Sequence, residues 1–373
     1  MWSDTAITGI DLPDKTICLT FDDGPGVGFD ESVNACSSTV RLAEYLAGQR
    51  VPGTFFVVGK YVDRHPRVID RVSELGHLVA NHTYDHVSLP EFISIGGSAA
   101  VQVSKATTQL MGSADASLPI YFRAPYGAWS RDVARQLNQD FLLSLNHIGP
   151  IGWDISPNDW RFWVDDISLD TALQQCVECI EDVGRGIVLM HDSNADGLGL
   201  ARKNMAYMLI EQLIPILKQR GFDFVRLDEI PALAAMSRQP FEFTLQTANS
   251  IHEPPLYCCI NGHKVDLSDQ EADQARWTAV NLGNGRIGLR SLSGYYLSFT
   301  ETGGTQCVST QIGDKEAFDV IILGSELIAL RTHVGSYLNY SPESGTSVLT
   351  ANGSRRLNNG EIFRFQNRVS DIG

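Results

Sequence analysis

No run of about 18 consecutive apolar residues occurs in this 373-residue chain, so the sequence offers no membrane-spanning helix. Positive charge is also scarce. Against 44 Asp and Glu stand 29 Lys and Arg, a formal net charge of -15, and such a surface repels the phosphates that a nucleic-acid-binding protein must hold. Cysteine is sparse and odd in number: seven, scattered through apolar segments, which excludes a dense disulfide framework but leaves room for a bridge or two. Cys176-Val-Glu-Cys179 has the spacing of a redox or zinc pair, yet it falls in the helical stretch TALQQCVECIEDV with no second CxxC. Packing as small buried hydrophobes is the reading it supports. The N-terminal MWSDTAITGIDLPDK has neither a basic start nor an apolar core, so no signal peptide is legible there.

What is present is the composition of a globular protein: 43% hydrophobic and 20% charged, with length enough for two domains. From Lys15 to about Ile230, short apolar runs (TICLTF, GTFFVVG, HLVANH, YFRAPYG, GWDIS, GIVLMHD, DFVRL) alternate with amphipathic stretches such as STVRLAEYLAGQ, PRVIDRVSELG and KNMAYMLIEQLIPILKQRG. That alternation predicts a β/α fold whose strand ends, in a barrel, converge on one face. Several of those ends carry the polar residues. Past LDEIPALAAMSRQP the pattern changes to short alternating runs rich in Gly, Ser and Asn, which predicts a domain over residues 1–236 and an all-β domain over 241–373. The second region repeats itself. IGLRSLSGYYL from Ile287 and IALRTHVGSYL from Ile328 align at a constant offset, with Trp277, Phe318 and Phe363 closing successive units.

Two features carry chemistry. Thr20-Phe21-Asp22-Asp23-Gly24-Pro25 ends a buried run with adjacent carboxylates, an arrangement that a turn with an Asx cap explains, or a cation that separates their roles. His82-Thr83-Tyr84-Asp85-His86 sets two imidazoles four residues apart, the spacing that puts them on one face of a helical turn and supplies two metal ligands. One Asp completes a three-ligand set. The other is free to act as a base toward water.

With TFDDGP at Thr20–Pro25, HTYDH at His82–His86, RAPYG at Arg123–Gly127, Asp159-Trp160 and LMH at Leu189–His191, the region from about Lys15 to Ile230 resembles the polysaccharide deacetylase family, the NodB homology domain of carbohydrate esterase family 4. The resemblance implies a distorted (β/α) barrel that removes acetyl groups from sugars. It implies Asp23, His82 and His86 as ligands of a divalent metal, zinc foremost, and Asp22 as general base with Arg123 beside it. It further implies that the Tyr126 N–H meets the oxyanion, that His191 is the general acid, and that Trp160 and Leu189 line the acetyl pocket.

The fourth motif departs from the family's Asp-x-x-Asp-Trp: Ser156 holds the register of the first Asp. Asp154, one strand period away, is the expected replacement that orients His191, with another group as the alternative. The stretch GVGFDESVNACSS is longer than a simple turn and is expected to reshape one rim of the cleft.

The resemblance implies hydrolytic N-deacetylation of an N-acetylglucosamine-containing glycan, chitin, its oligomers or peptidoglycan. O-deacetylation of acetyl xylan and glycan binding by an inactive barrel are the alternatives. Family members usually act on walls outside the cytoplasm. The C-terminal region resembles a β-trefoil of the fascin-like or ricin-like kind, expected to bind carbohydrate or to dock on the barrel. Tyr257, Tyr295 and Tyr340 are either its sugar-stacking aromatics or part of its core.

Overall fold

The computed structural model describes residues 2–26, 38–114, 118–197, 203–248, 255–300, 302–324, 326–341, 348–351, 357 and 359–367. Most of GVGFDESVNACSS, including Cys36, lies outside them. The chain divides into two compact units: Met1–Leu137 with His147–Arg238, and Asn138–Asn146 with Gln239–Gly373.

The first unit is built on parallel strands: β1 (Trp2–Ile7), β2 (Thr16–Asp22), β3 (Gly53–Val57), β4 (Leu78–Asn81), β5 (Ile120–Tyr121), β6 (His147–Ile151), β7 (Gly186–His191) and β8 (Asp223–Phe224). One sheet has the order β4-β3-β2-β7, with β8 also on β2, and the other the order β1-β6-β5. Isolated parallel bridges, Asn81 to Phe122 and Ile155 to Val188, join the two sheets into a ring. The result is a distorted barrel. Strand β2 is buried along its whole length, as a parallel strand covered on both faces must be, which accounts for the unbroken run TICLTFD. Helices wrap the outside, among them Ser38–Gly48, Ala99–Leu110, Leu169–Val183 and Ala206–Gln219, each turning an apolar stripe inward.

Two strands differ from expectation. GWDIS forms no strand: the pairing residues are His147–Ile151 just before it, while Ile155 makes a single bridge. Strand β1 has no clear alternation to announce it, and pairs parallel with β6 through Trp2 opposite Gly149 and Ile7 opposite Ile151.

Among the described residues, the second unit is an antiparallel all-β structure of 12 strands. The internal repeat is visible in its core. Ile287, Leu289, Ile328 and Leu330 are fully buried, and Trp277, Phe318 and Phe363 are buried with them. Corresponding turns follow each repeat, Ser291 N donating to Tyr295 O and Thr332 N to Ser336 O, with Gly294 and Gly335 both at a φ of 87°. That left-handed angle is why both turns keep glycine.

One departure from a contiguous second domain is the short helix Phe141–Asn146, which belongs to this unit. Its Phe141 is fully buried and meets Phe241, Phe243 and Phe365 edge to face, at centroid distances of 5.4, 5.0 and 5.0 Å. Tyr340 is core, whereas Tyr257 and Tyr295 are half-buried. Among the described residues Cys18, Cys176, Cys179, Cys258, Cys259 and Cys307 are free thiols, and burial raises their pKa values, which keeps them protonated and inert. No helix among those residues is long and apolar enough to cross a membrane.

Candidate active site

Parallel register does the first part of the assembly. Asp22, the last residue of β2, lies opposite His191 at the end of β7 and opposite Phe56 on β3, so residues 169 positions apart start as neighbours. Asp23 follows with a φ of 75°, and Thr83, His86 and Tyr126 also take positive angles, of 65°, 61° and 60°. Non-glycine residues rarely adopt such angles, and four around one cavity mark a place where surrounding structure holds the backbone against its preference. Gly24 is required for space: a Cβ there would stand 2.5 Å from Asp192 Oδ2. Asp192 is itself buried beside the site, and burial first, then the charges of Asp23 and Asp22, push its carboxyl up to about 7.

The two histidines do not sit on a helical turn. Residues 82–86 form an irregular loop, tied by Thr83 N donating to Asn81 Oδ1 and His86 N to Thr83 Oγ1. Thr83 and His86, with their positive angles, wind this loop so that both Nε2 atoms still point at Asp23. His82 Nε2 is 3.5 Å and His86 Nε2 3.0 Å from Asp23 Oδ1. One ligand atom from each of the three side chains lies within 4.8 Å of the others.

The outer nitrogens are already committed. His82 Nδ1 donates to the Arg123 carbonyl at 2.8 Å, and because a carbonyl only accepts, this fixes the tautomer and frees Nε2. His86 Nδ1 donates to Asp196 Oδ1 at 3.0 Å, and the Tyr126 hydroxyl donates to the same oxygen at 2.6 Å. Asp23 Oδ2 accepts from Ala195 N at 3.0 Å, leaving Oδ1 to face the imidazoles. Burial pushes the Asp23 carboxyl up, but hydrogen bonds from His82 and His86 outweigh it and hold the group well below the usual carboxylate range. Two oriented imidazoles and an ionised carboxylate, all buried, form a donor set that fits a divalent cation with nitrogen and oxygen ligands.

Asp22 stands apart from that set. Its Oδ1 accepts from Arg123 Nη1 at 2.8 Å, while Oδ2 lies 3.7 Å from His82 Nε2. Arg123 is 1% exposed and spends its other donors on Thr20 Oγ1 and on the carbonyls of Ile151 and Gly152. It therefore stands behind Asp22, outside the cavity, as a fixed counter-charge.

The expected orienting role of Asp154 is overturned. Its Oδ2 accepts from Gly9 N and Ile187 N, both at 2.8 Å, at the start of β7. His191 is four residues further along that strand, about 13 Å at the usual strand rise. Asp159 makes the contact instead, its Oδ1 2.7 Å from His191 Nδ1 and its Oδ2 accepting from His191 N at 2.7 Å. Burial pushes the His191 pKa down, but the charge and hydrogen bond of Asp159, with smaller help from Asp23 and Asp22, raise it to about 10.

These groups face a cavity of about 390 Å³. Asp22, Asp23, His82, His86, Tyr126, Trp160, Leu189 and His191 all line it, and Asp196 and Asn194 complete one side. The loop Asp192–Gly197 thus contributes Ala195 and Asp196 behind two of the three converging groups, a role with no spacing signal beyond closeness to LMH. Chemically, the arrangement sets a carboxylate held by Arg123 and a cationic imidazole on a shared cavity beside a triad that could hold an ion.

A family model described as polysaccharide deacetylase matches residues 9–141. A chitooligosaccharide deacetylase of Rhizobium leguminosarum bv. trifolii is 34% identical over 227 residues, spanning 58% of this chain and 92% of that protein. The peptidoglycan-N-acetylglucosamine deacetylase PgdA of Listeria monocytogenes is 28% identical over 216 residues, which are 58% of this chain and 39% of PgdA. Among solved structures, the Bc1960 peptidoglycan N-acetylglucosamine deacetylase is 23% identical with a TM-score of 0.46, covering 58% of this chain and 88% of that one. With the barrel, its five motifs and a relative matched over nearly its full length, the chain belongs to the polysaccharide deacetylase family.

Proposed function

We propose that this chain hydrolyses the N-acetyl groups of N-acetylglucosamine-containing glycans, chitin oligomers or peptidoglycan, with zinc held by Asp23, His82 and His86. The observation that carries the proposal is the division of the buried pair: Asp23 faces two imidazoles, while Asp22 is held by Arg123 on the cavity wall. A divalent cation bound there would polarise the acetyl carbonyl and lower the pKa of water. Asp22, aimed by Arg123, whose Nη1 donates to its Oδ1, then takes the proton of the attacking water. The Tyr126 main-chain N–H donates to the oxyanion as the carbonyl carbon becomes tetrahedral. His191, cationic and anchored by Asp159, protonates the departing amine. An amine leaves only once protonated, so an acid held in its charged form supports amide rather than ester hydrolysis. Leu189 and Trp160 close the cavity around the acetyl methyl.

The deciding measurement is acetate release from chitin oligomers, peptidoglycan and acetyl xylan, with chelation and zinc re-addition. Release from the first two, abolished by the chelator and restored by zinc, is expected; release unaffected by chelation, or from acetyl xylan alone, refutes the proposal.

Asp196 supports His86 from outside the triad, and Asp196→Ala is expected to weaken zinc binding about 10- to 100-fold, the usual cost of losing such a partner. Competition with a chromophoric chelator measures it. Unchanged affinity would mean that Asp196 merely neighbours His86.

For the second unit, its 12 antiparallel strands and the matched turns after each repeat support a β-trefoil. Glycan contact by that unit, if made through aromatics, falls to the half-buried Tyr257 and Tyr295, since Tyr340 is enclosed.

A further inference from the structure

Helix Ala99–Leu110 turns a buried stripe of Ala99, Gln102, Val103, Ala106 and Leu110 inward. Gln102 is its one polar member. At 6% exposure its amide must find partners inside the protein, and both of its polar atoms go to a single residue, Asp85. Oε1 accepts from Asp85 N and Nε2 donates to Asp85 Oδ2, both at 3.0 Å. Asp85 lies in the loop between the two converging imidazoles, directly before His86.

Asp85 itself is exposed, so without Gln102 its N–H and its carboxylate would simply be hydrated. The clasp therefore adds geometry rather than solvation. Geometry is what this loop needs, because Thr83 and His86 take φ angles of 65° and 61°, which persist only where neighbours over-determine the backbone. The rest of the loop is gripped in the same way. Asn81, fully buried, ties its start to the same helix: Nδ2 donates to the Val103 carbonyl and to Thr107 Oγ1, both at 3.0 Å, while Oδ1 accepts from Thr83 N. Elsewhere Gly59 N, Lys60 N and Lys60 Nζ donate to the carbonyls of Thr83, Tyr84 and Asp85 at 3.0, 2.9 and 3.0 Å. A Cβ on Gly59 would stand 2.8 Å from the Tyr84 ring and 2.9 Å from Ala106 Cα, so glycine is what lets loop and helix close together there.

We infer that Gln102 is a positioning residue: by clasping Asp85 it holds residues 82–86 in the conformation that aims both imidazoles at Asp23. Gln102 does not line the catalytic cavity, and it acts through Asp85. The inference rests on the zinc reading above and deepens it: the loop is ordered before an ion arrives, so binding carries little cost of ordering it.

Three variants of the full chain separate this role from plain packing. Gln102→Leu fills similar space without the amide and should weaken zinc affinity about tenfold, the low end of what an outer partner commands, because Gln102 acts through the backbone. Gln102→Glu sets two carboxylates face to face and should weaken it as well. Charge alone predicts the reverse, since an added anion favours a cation. In the double variant Asp85→Asn with Gln102→Glu, amide and carboxylate trade places at unchanged net charge, and affinity should return to within about twofold of wild type. Competition with a chromophoric chelator measures all four proteins. Amide hydrogen exchange of residues 82–86 in the zinc-free proteins should be faster in both single variants and return to the wild-type rate in the double one. Wild-type affinity in Gln102→Leu, or losses that the double variant does not recover, overturn the inference and leave the zinc reading intact. A wild type that takes up no zinc removes the zinc reading, and loop exchange across the four proteins then decides the clasp by itself.

Discussion

Asp22→Asn is expected to lower kcat by about 10²- to 10⁴-fold, the range that a positioned general base contributes, while zinc affinity changes no more than a few-fold. The amide keeps the shape of the carboxylate and can still accept from Arg123 Nη1, now 2.8 Å from Asp22 Oδ1. It cannot take up a proton. Asp22 makes no closer approach to His82 Nε2 than 3.7 Å, and the converging triad is complete without it. His82→Ala is the counterpart: it deletes a converging nitrogen, so zinc affinity should fall by more than the roughly 10- to 100-fold that an outer partner commands, and turnover should vanish with it. Zinc content after dialysis and single-turnover rates, normalised to zinc-loaded protein, separate the two variants. Equal metal loss in both would end the division of labour between the adjacent carboxylates. The asparagine variant also leaves Arg123 without its counter-charge at 1% exposure, so its melting temperature should drop.

The strand ends were readable because burial and chemistry meet there. TICLTFD could only be a strand buried on both faces, and once it is parallel to GIVLMH, Asp22 and His191 are brought together by register alone. The second unit was readable through its repeat, since Ile287 and Leu289 recur as Ile328 and Leu330 in the same buried positions. Between strands that logic stops. Residues 152–158 run irregularly from β6 to the helix that begins at Asp159, so a count of two from Ser156 to Asp154 carried no information about facing, and the carboxylate that reaches His191 is the one beside Trp160. The same holds for residues 82–86, where positive φ angles replace the helical turn that HxxxH spacing suggests. Asp196 and Phe141 illustrate the remaining gap: each acquires its role from a contact more than 90 residues away in sequence, His86 for one and Phe241 for the other. Neither has a local pattern from which such a partner could be read.

The second large effect concerns His191. Its imidazole is largely enclosed, with 17% of the side chain exposed, which alone would favour the neutral ring, and it is raised to about 10 chiefly because Asp159 supplies a charge and a hydrogen bond. A cationic acid with a raised pKa is protonated below that value and loses its proton as pH rises through it. The wild-type alkaline limb of kcat therefore lies well above neutrality, and is drawn below about 10 when a cation neutralises the lesser contributions of Asp23 and Asp22. Asp159→Asn removes the dominant raising causes and leaves burial opposed only by the lesser charges of Asp23 and Asp22, so the pKa should fall steeply and the alkaline limb should move down with it. At pH 7.5 most His191 is then neutral and unable to protonate the amine, and kcat should fall about 10²- to 10⁴-fold, as when the carboxylate partner of a catalytic histidine becomes an amide. Zinc affinity should stay unchanged, because Asp159 touches none of the triad. The pair also contributes stability below about pH 6.5 that fades as pH rises toward 10, and the variant should lack that slope. A pH–rate profile whose alkaline limb stays in place in Asp159→Asn would show that another group sets it, and His191 would lose its assignment as the acid.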